Sequence, residues 1–205
     1  MMSKKNLLYE AAMTIMIREG VNGLTISKVA NEANIGKSTV YEYFKSKDEL
    51  IYKTINYMGE KYVEEIQQRL FTDNKGFEMT IKGLIKIIIA TIRQGNTNFI
   101  FMISECDKTF KSKVDTHEQI KNIMLGIRMK LYNLLEEIIE LGVKEGIIDK
   151  PKDKMTFVIW QNLLVILSYE FSGEDVFLEQ NDITIGDDEE NINTIYDLLL
   201  KVLKS

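Results

Sequence analysis

Residues 25–50, TISKVANEANIGKSTVYEYFKSKDEL, leave the chain little freedom in how it can fold. Ile26, Val29, Ala30 and Ala33 recur at the i, i+3, i+4, i+7 spacing of one apolar helix face. Asn34-Ile35-Gly36 then breaks the pattern with two residues that tolerate left-handed backbone angles. A second short helix follows, with Val40 and Phe44 on one face. At about 100° per residue, Ser38, Thr39, Glu42 and Tyr43 project roughly the opposite way. Ser46-Lys47-Asp48-Glu49 is an S-x-x-E capping box, so a longer helix starts near Ser46 with Lys47 in its first turn.

Two short helices joined by a tight turn, the second turning small polar and phenolic groups outward, predict a helix-turn-helix that reads DNA. The order and spacing of Ala11-Ala12, Gly20, Leu24-Thr25-Ile26, Val29-Ala30, Ala33, Ile35, Lys37, Thr39, Tyr41, Phe44, Lys47 and Leu50 carry a resemblance. The stretch resembles the DNA-binding domain of the tetracycline-repressor (TetR/AcrR) family of transcription regulators. The resemblance implies an all-α chain with an N-terminal three-helix helix-turn-helix DNA-binding domain over residues 1–46. A C-terminal helical ligand-binding and dimerisation domain would occupy residues 47–205. It further implies a cytoplasmic homodimer, paired through the last two helices, whose partner is double-stranded DNA with a palindromic operator. The expected function is a repressor released by a small, apolar effector. Two alternatives stand beside it: a DNA-binding protein of the same fold without a ligand switch, and a helical enzyme or carrier bundle.

Sequence recognition belongs to the N-terminal half of the 37–44 helix. Ser38 and Thr39 can donate to and accept from base edges, and the threonine methyl can meet a thymine methyl. Lys37 can reach guanine acceptors or a phosphate. Thr25 at a helix start, with Tyr41, Tyr43 and Lys47, is expected to hold phosphates, as matching positions of the family do; Lys28 and Gly36 complete the DNA-contact set. Tyr41 has a second reading, as a structural hydroxyl beside Val40 and Phe44. Gly36 stands where the family usually has a small hydroxyl residue. Glu42 either accepts from a cytosine amino group or simply repels phosphate.

Chemistry of other kinds finds little support. His117 is the only histidine and Cys106 the only thiol, which leaves no histidine-based triad and no multi-histidine metal site within one chain. No glycine-rich phosphate loop is present, and no cofactor, metal or catalytic residue is expected. One cysteine also excludes an internal disulfide framework and fits a reducing cytoplasm. The longest apolar run, 87–92, is too short to cross a bilayer, so no membrane partner is expected. The net charge of −5 runs against nucleic-acid binding until it is divided. Residues 1–50 hold seven of the 26 Lys/Arg and six of the 31 Asp/Glu, for +1; nineteen against twenty-five remain, for −6. Charge therefore permits DNA binding without arguing for it.

The rest of the chain reads as helices throughout. A first helix over about 4–19 ends at Gly20, and the capped helix runs to about residue 70. Residues 77–94 are dense enough in isoleucine to suggest burial on most sides. Thr116-His117-Glu118-Gln119 is a capping-box candidate for a long helix ending at Gly142 or Gly146. Pro151 suits the first turn of the next helix, and Asp187 with Glu190 the cap of the last. By resemblance, the helices after residue 47 enclose an effector pocket. Phe99, Met102, Ile103, Cys106, Met124, Ile127, Tyr132, Trp160 and Tyr169 are its candidate lining, each taken singly having a simpler reading as plain core.

Overall fold

A computed structural model describes residues 3–71, 75–93, 105–106, 108–150, 162 and 188–204. Among the described residues seven helices are delimited and no strand occurs, in keeping with the expected all-α class. They are α1 (Lys4–Gly23), α2 (Ile26–Glu32), α3 (Lys37–Tyr43), α4 (Lys47–Phe71), α5 (Phe77–Arg93), α6 (Val114–Lys144) and α7 (Asp188–Leu203). The chain forms two compact units, one of Met1–Glu64 with Asn96–Lys130 and one of Glu65–Gly95 with Leu131–Ser205.

In the first unit, α1 buries Leu8, Ala11, Ala12, Ile15 and Met16, the apolar face of an amphipathic helix. Ser3 caps its start by accepting from the Asn6 N–H at 3.1 Å. Gly20, at φ 73°, breaks its helical backbone where the sequence placed the stop, and one further turn follows to Gly23. The Glu105 carboxylate lies over Gly20, where an added Cβ would stand 2.9 Å from Oε1. Thr25 caps α2, its hydroxyl accepting from the Lys28 N–H at 3.2 Å. The end of α2 is a Schellman motif: Ile35 N–H reaches the Ala30 carbonyl at 2.9 Å and Asn34 N–H the Asn31 carbonyl at 3.1 Å. Asn34 takes the left-handed angle this requires, at φ 52°; Gly36 does not, at φ −61°.

The capping box on α4 forms with one displacement. Ser46 Oγ accepts from the Glu49 N–H at 3.0 Å, and Glu49 reaches back to the N–H of Lys45 rather than that of Ser46. Lys53 holds the other oxygen of Glu49 at 2.6 Å. Further along, Tyr9 stacks on Tyr57 at 4.9 Å and meets Phe44 edge-on at 5.5 Å. The Glu10 carboxylate accepts from the Tyr57 hydroxyl at 2.7 Å and from Lys61 at 2.8 Å, which ties α1 to α4. Helix α6 starts at Val114, two residues before its capping-box candidate Thr116, and His117 N–H already bonds the Lys113 carbonyl. Thr116 is therefore inside the helix. Lys113, just before it, pairs with Asp48 in the first turn of α4 at 2.7 Å.

In the second unit, α5 buries Phe77, Ile81, Ile85 and Ile89, one stripe at i+4 spacing. Leu84, Ile87 and Ile88 are only half-buried and Met79 is 62% exposed, so the density of isoleucine overstated its burial. The N-terminus of α5 lies on the end of α6. Both Glu145 oxygens accept from the Phe77 N–H, at 3.2 and 3.0 Å. Of the two candidate stops, Gly146 takes the left-handed angle, at φ 70°, and Ile147 N–H closes the cap on the Gly142 carbonyl at 2.9 Å. Gly142 has a different role: a Cβ there would stand 2.7 Å from a Phe77 ring carbon and 2.9 Å from Ile148. Helix α7 packs against α5, with Tyr196 beside Phe77 and under the Lys82 ammonium at 4.7 Å. The proposed helix at Pro151 and the side chain of Asp187 lie outside the described residues.

Two expectations follow. Gly142→Ala should destabilise the protein by roughly 1–3 kcal/mol, because Phe77 is buried and cannot retreat. Gly126→Ala, in the same helix with nothing within 4 Å, should stabilise it by up to about 1 kcal/mol. Urea denaturation of both variants checks the contrast. The second concerns acid. Partial burial alone would raise the Glu10 carboxyl, but the bonds from Lys61 and Tyr57 outweigh it and hold it below its ordinary 4.5. Its contribution is thus full above pH 4.5 and lost as pH falls through the depressed value. Between pH 5 and pH 3, Glu10→Gln should lose about 1 kcal/mol less stability than the unaltered chain, measured by urea midpoints.

Candidate nucleic-acid interface

The reading helix is held from behind and open in front. Val40 and Phe44 are fully buried, while Lys37, Ser38 and Glu42 are exposed and Thr39 is half-buried. Tyr41 is 51% exposed and Tyr43 36%, so Tyr41 does not share the burial of its neighbours Val40 and Phe44. The 37–43 span is only seven residues, short of what an isolated helix needs, and its geometry comes from tertiary seating. Leu50 and Ile51 from α4, with Leu24, Val29 and Ala30, complete the buried surround of this three-helix unit.

Gly36 sits at the N-cap of α3 and provides no side-chain bond to it. The family's usual hydroxyl is thus missing at a position where one would act as a cap. Thr25 is exposed at the N-cap of α2; its oxygen accepts from Lys28 N–H, which leaves its proton free to donate outward. Lys47 lies with its ammonium 3.4 Å from the Asn22 carbonyl, beside the turn that precedes α2. Tyr43 packs its ring at 6.4 Å from Phe44, so its exposed edge is braced.

Lys28 stands apart from this group. Its ammonium is 2.5 Å from Glu19 and 3.0 Å from the Gly23 carbonyl, and Glu19 also binds Arg18. The hydrogen bonds from Lys28 and then Arg18 keep the Glu19 carboxyl below its usual range, so it stays charged and keeps hold of Lys28. Lys28 in this state is a clamp between α2 and the end of α1. Lys45, two residues past the end of α3, is exposed between that helix and the capping box.

The candidate effector residues are less joined. Cys106 is buried, and burial, with the neighbouring Glu105 charge, pushes its thiol up to about 12. It is therefore a neutral core residue at physiological pH. Ile127 is buried, Met124 is 38% exposed, and Tyr132 is half-buried with a hydrogen bond to Glu136. Cys106, Met124 and Ile127 belong to the first unit and Tyr132 to the second. Phe99, Met102, Ile103, Trp160 and Tyr169 lie outside the described residues. A groove of about 260 Å³ in the second unit is lined by Phe71, Lys75, Glu137, Glu140, Leu141 and Lys144, none of them a candidate. Among the described residues no group of three or more His, Cys, Asp or Glu could hold a metal, and no helix is long and apolar enough to cross a membrane.

Residues 8–52, from the buried face of α1 to the first turns of α4, match the family described as bacterial regulatory proteins, tetR family. This N-terminal segment is what the chain shares with the tetR family. An uncharacterized HTH-type transcriptional regulator of Haemophilus influenzae is 34% identical over 120 residues, 56% of this chain and 54% of that protein. The chain thus matches about half the length of that relative. A fatty acid metabolism regulator protein of Bacillus subtilis is 21% identical over 154 residues, covering 73% of this chain and 76% of the other. The crystal structure of the Bacillus subtilis regulator FadR in complex with stearoyl-CoA shares the fold. It superposes with a TM-score of 0.58 at 16% identity, over 96% of this chain and 98% of that one.

The uncapped start of α3 can be tested directly. A Cβ on Gly36 would meet only Ser38 Oγ, at an ordinary 3.7 Å. Gly36→Ser should therefore raise stability by about 0.5 kcal/mol through a new cap and a less flexible unfolded chain, measured by thermal or urea unfolding.

Proposed function

We propose that this chain is a sequence-specific, DNA-binding transcriptional regulator of the tetR family without catalytic activity, working in the cytoplasm as a repressor. The observation that carries the reading is α3 itself, whose polar groups Lys37, Ser38, Thr39, Tyr41, Glu42 and Tyr43 stand outward on a helix anchored by Val40 and Phe44. Ser38, Thr39 and Glu42 would meet base edges; Thr25, Tyr41, Tyr43 and Lys47 would position the phosphates. In this reading residues 1–46 engage DNA, and residues 47–205 carry effector binding and dimerisation. Two copies joined through their last two helices would present reading helices about 34–36 Å apart, the repeat of a palindromic operator. The effector would be a small molecule with a long apolar chain, of the fatty acyl-CoA class. Support comes from the stearoyl-CoA bound by the Bacillus subtilis neighbour, which shares the fold. The effector would act by binding the DNA-released state more tightly than the DNA-bound one.

Selection of bound sequences from random DNA, with and without stearoyl-CoA, tests this in one experiment. A palindromic consensus should emerge, and stearoyl-CoA should lower affinity for it. Thr39→Ala should change base preference, by about 1–3 kcal/mol at one position, whereas Lys47→Ala should weaken binding to all sequences and flatten its salt dependence. If Glu42→Gln alters neither affinity nor preference, Glu42 reads no base. A consensus unaffected by the acyl-CoA would favour the same DNA reader without that switch, and a stable monomer at micromolar concentration would contradict the dimer.

A further inference from the structure

The unit that contains the reader is more basic than residues 1–64 alone. Those residues hold nine Lys/Arg and eight Asp/Glu; residues 96–130, which fold into the same unit, add six against four. Its net charge rises from +1 to +3, while the second unit holds eleven against nineteen, for −8. Three of the added cations, Lys108, Lys111 and Lys113, fall within six residues and are all exposed. Lys113 is the one whose position is fixed. Its ammonium lies 2.7 Å from Asp48 Oδ2 and 5.3 Å from the ring centre of Phe110, which is buried. Asp48 follows Lys47 in the first turn of α4, directly after the link that leaves the reading helix.

We propose that Lys113, with Lys111 beside it in sequence, binds the DNA backbone from outside the helix-turn-helix, and that Asp48 holds its ammonium in readiness while no DNA is bound. The inference rests on the DNA-binding reading above. Alone, Asp48 would oppose a phosphate approaching the start of α4; paired, its charge is cancelled. The lysine end of the pair is exposed, with 55% of the Lys113 side chain open to water against 27% for Asp48, so the pair contributes little to folding and is readily exchanged. A phosphate offers the ammonium an equivalent partner, and neutralising it releases condensed counterions.

The two partners therefore act in opposite senses. Lys113→Gln should weaken operator binding and flatten the slope of log affinity against log salt by about 0.9 for each phosphate no longer neutralised. Asp48→Asn should strengthen binding severalfold at low salt. Lys113→Arg, which keeps the charge, should retain the unaltered slope, and thermal midpoints establish that each variant is folded. If the pair were only a brace between α4 and α6, both neutralising variants would shift affinity the same way; that result, or an unchanged slope in Lys113→Gln, overturns the inference. Should the unaltered chain bind DNA with no sequence preference, the DNA-binding reading itself falls and this inference with it. Normal binding by the unaltered chain, matched by Lys113→Gln, removes the inference alone.

Discussion

The ring of Tyr9 lies between Phe44 at the end of α3 and Tyr57 in the middle of α4, and the presentation of the reading helix depends on it. A seven-residue helix has no direction of its own. Here it acquires one because Phe44 is fully buried and meets Tyr9 edge-on, in the arrangement aromatic quadrupoles favour. Tyr9 is fixed in turn by the face of α1, whose Glu10 grips Tyr57 and Lys61. The exposed side of α3 can therefore be almost wholly polar without losing its orientation. Polar groups placed for a partner add nothing to the fold, and the aromatic stack supplies what they do not.

How much of this was legible depends on the range of the interaction. The short helices, the left-handed turn at Asn34, the stop at Gly20 and the cap at Ser46 are local, and each is encoded within a few residues. The missing cap at Gly36 was visible for the same reason. What escaped is set by distant approach. Thr116 looked like a cap, but α6 began earlier, at Val114, in a segment whose Lys113 pairs with the distant Asp48. The pairing of Lys28 with Glu19 was not legible, because nothing in the sequence says that Glu19 folds back to meet it. Isoleucine density in α5 described what the helix is able to bury, while the described core takes only one stripe of it.

The two units also divide the chain's charge more sharply than the sequence order does. The second unit is acidic and the first mildly basic, so taken separately the first attracts phosphate and the second repels it. With a margin of only three charges, broad electrostatic attraction is modest. Individual cations, and the carboxylates that hold them, then matter more than their sum.

The burial of Cys106 gives the first unit a built-in clock. The chain has a single thiol, it has no exposed surface, and its proton is held tightly. A soluble thiol reagent can modify it only in molecules that have opened around the Cys106 segment, packed in the same unit as the reader. The rate of labelling therefore counts openings, one chemical event at a time, in the natural chain with no probe introduced. Anything that tightens or loosens that unit will be recorded as a change in the rate of one covalent reaction.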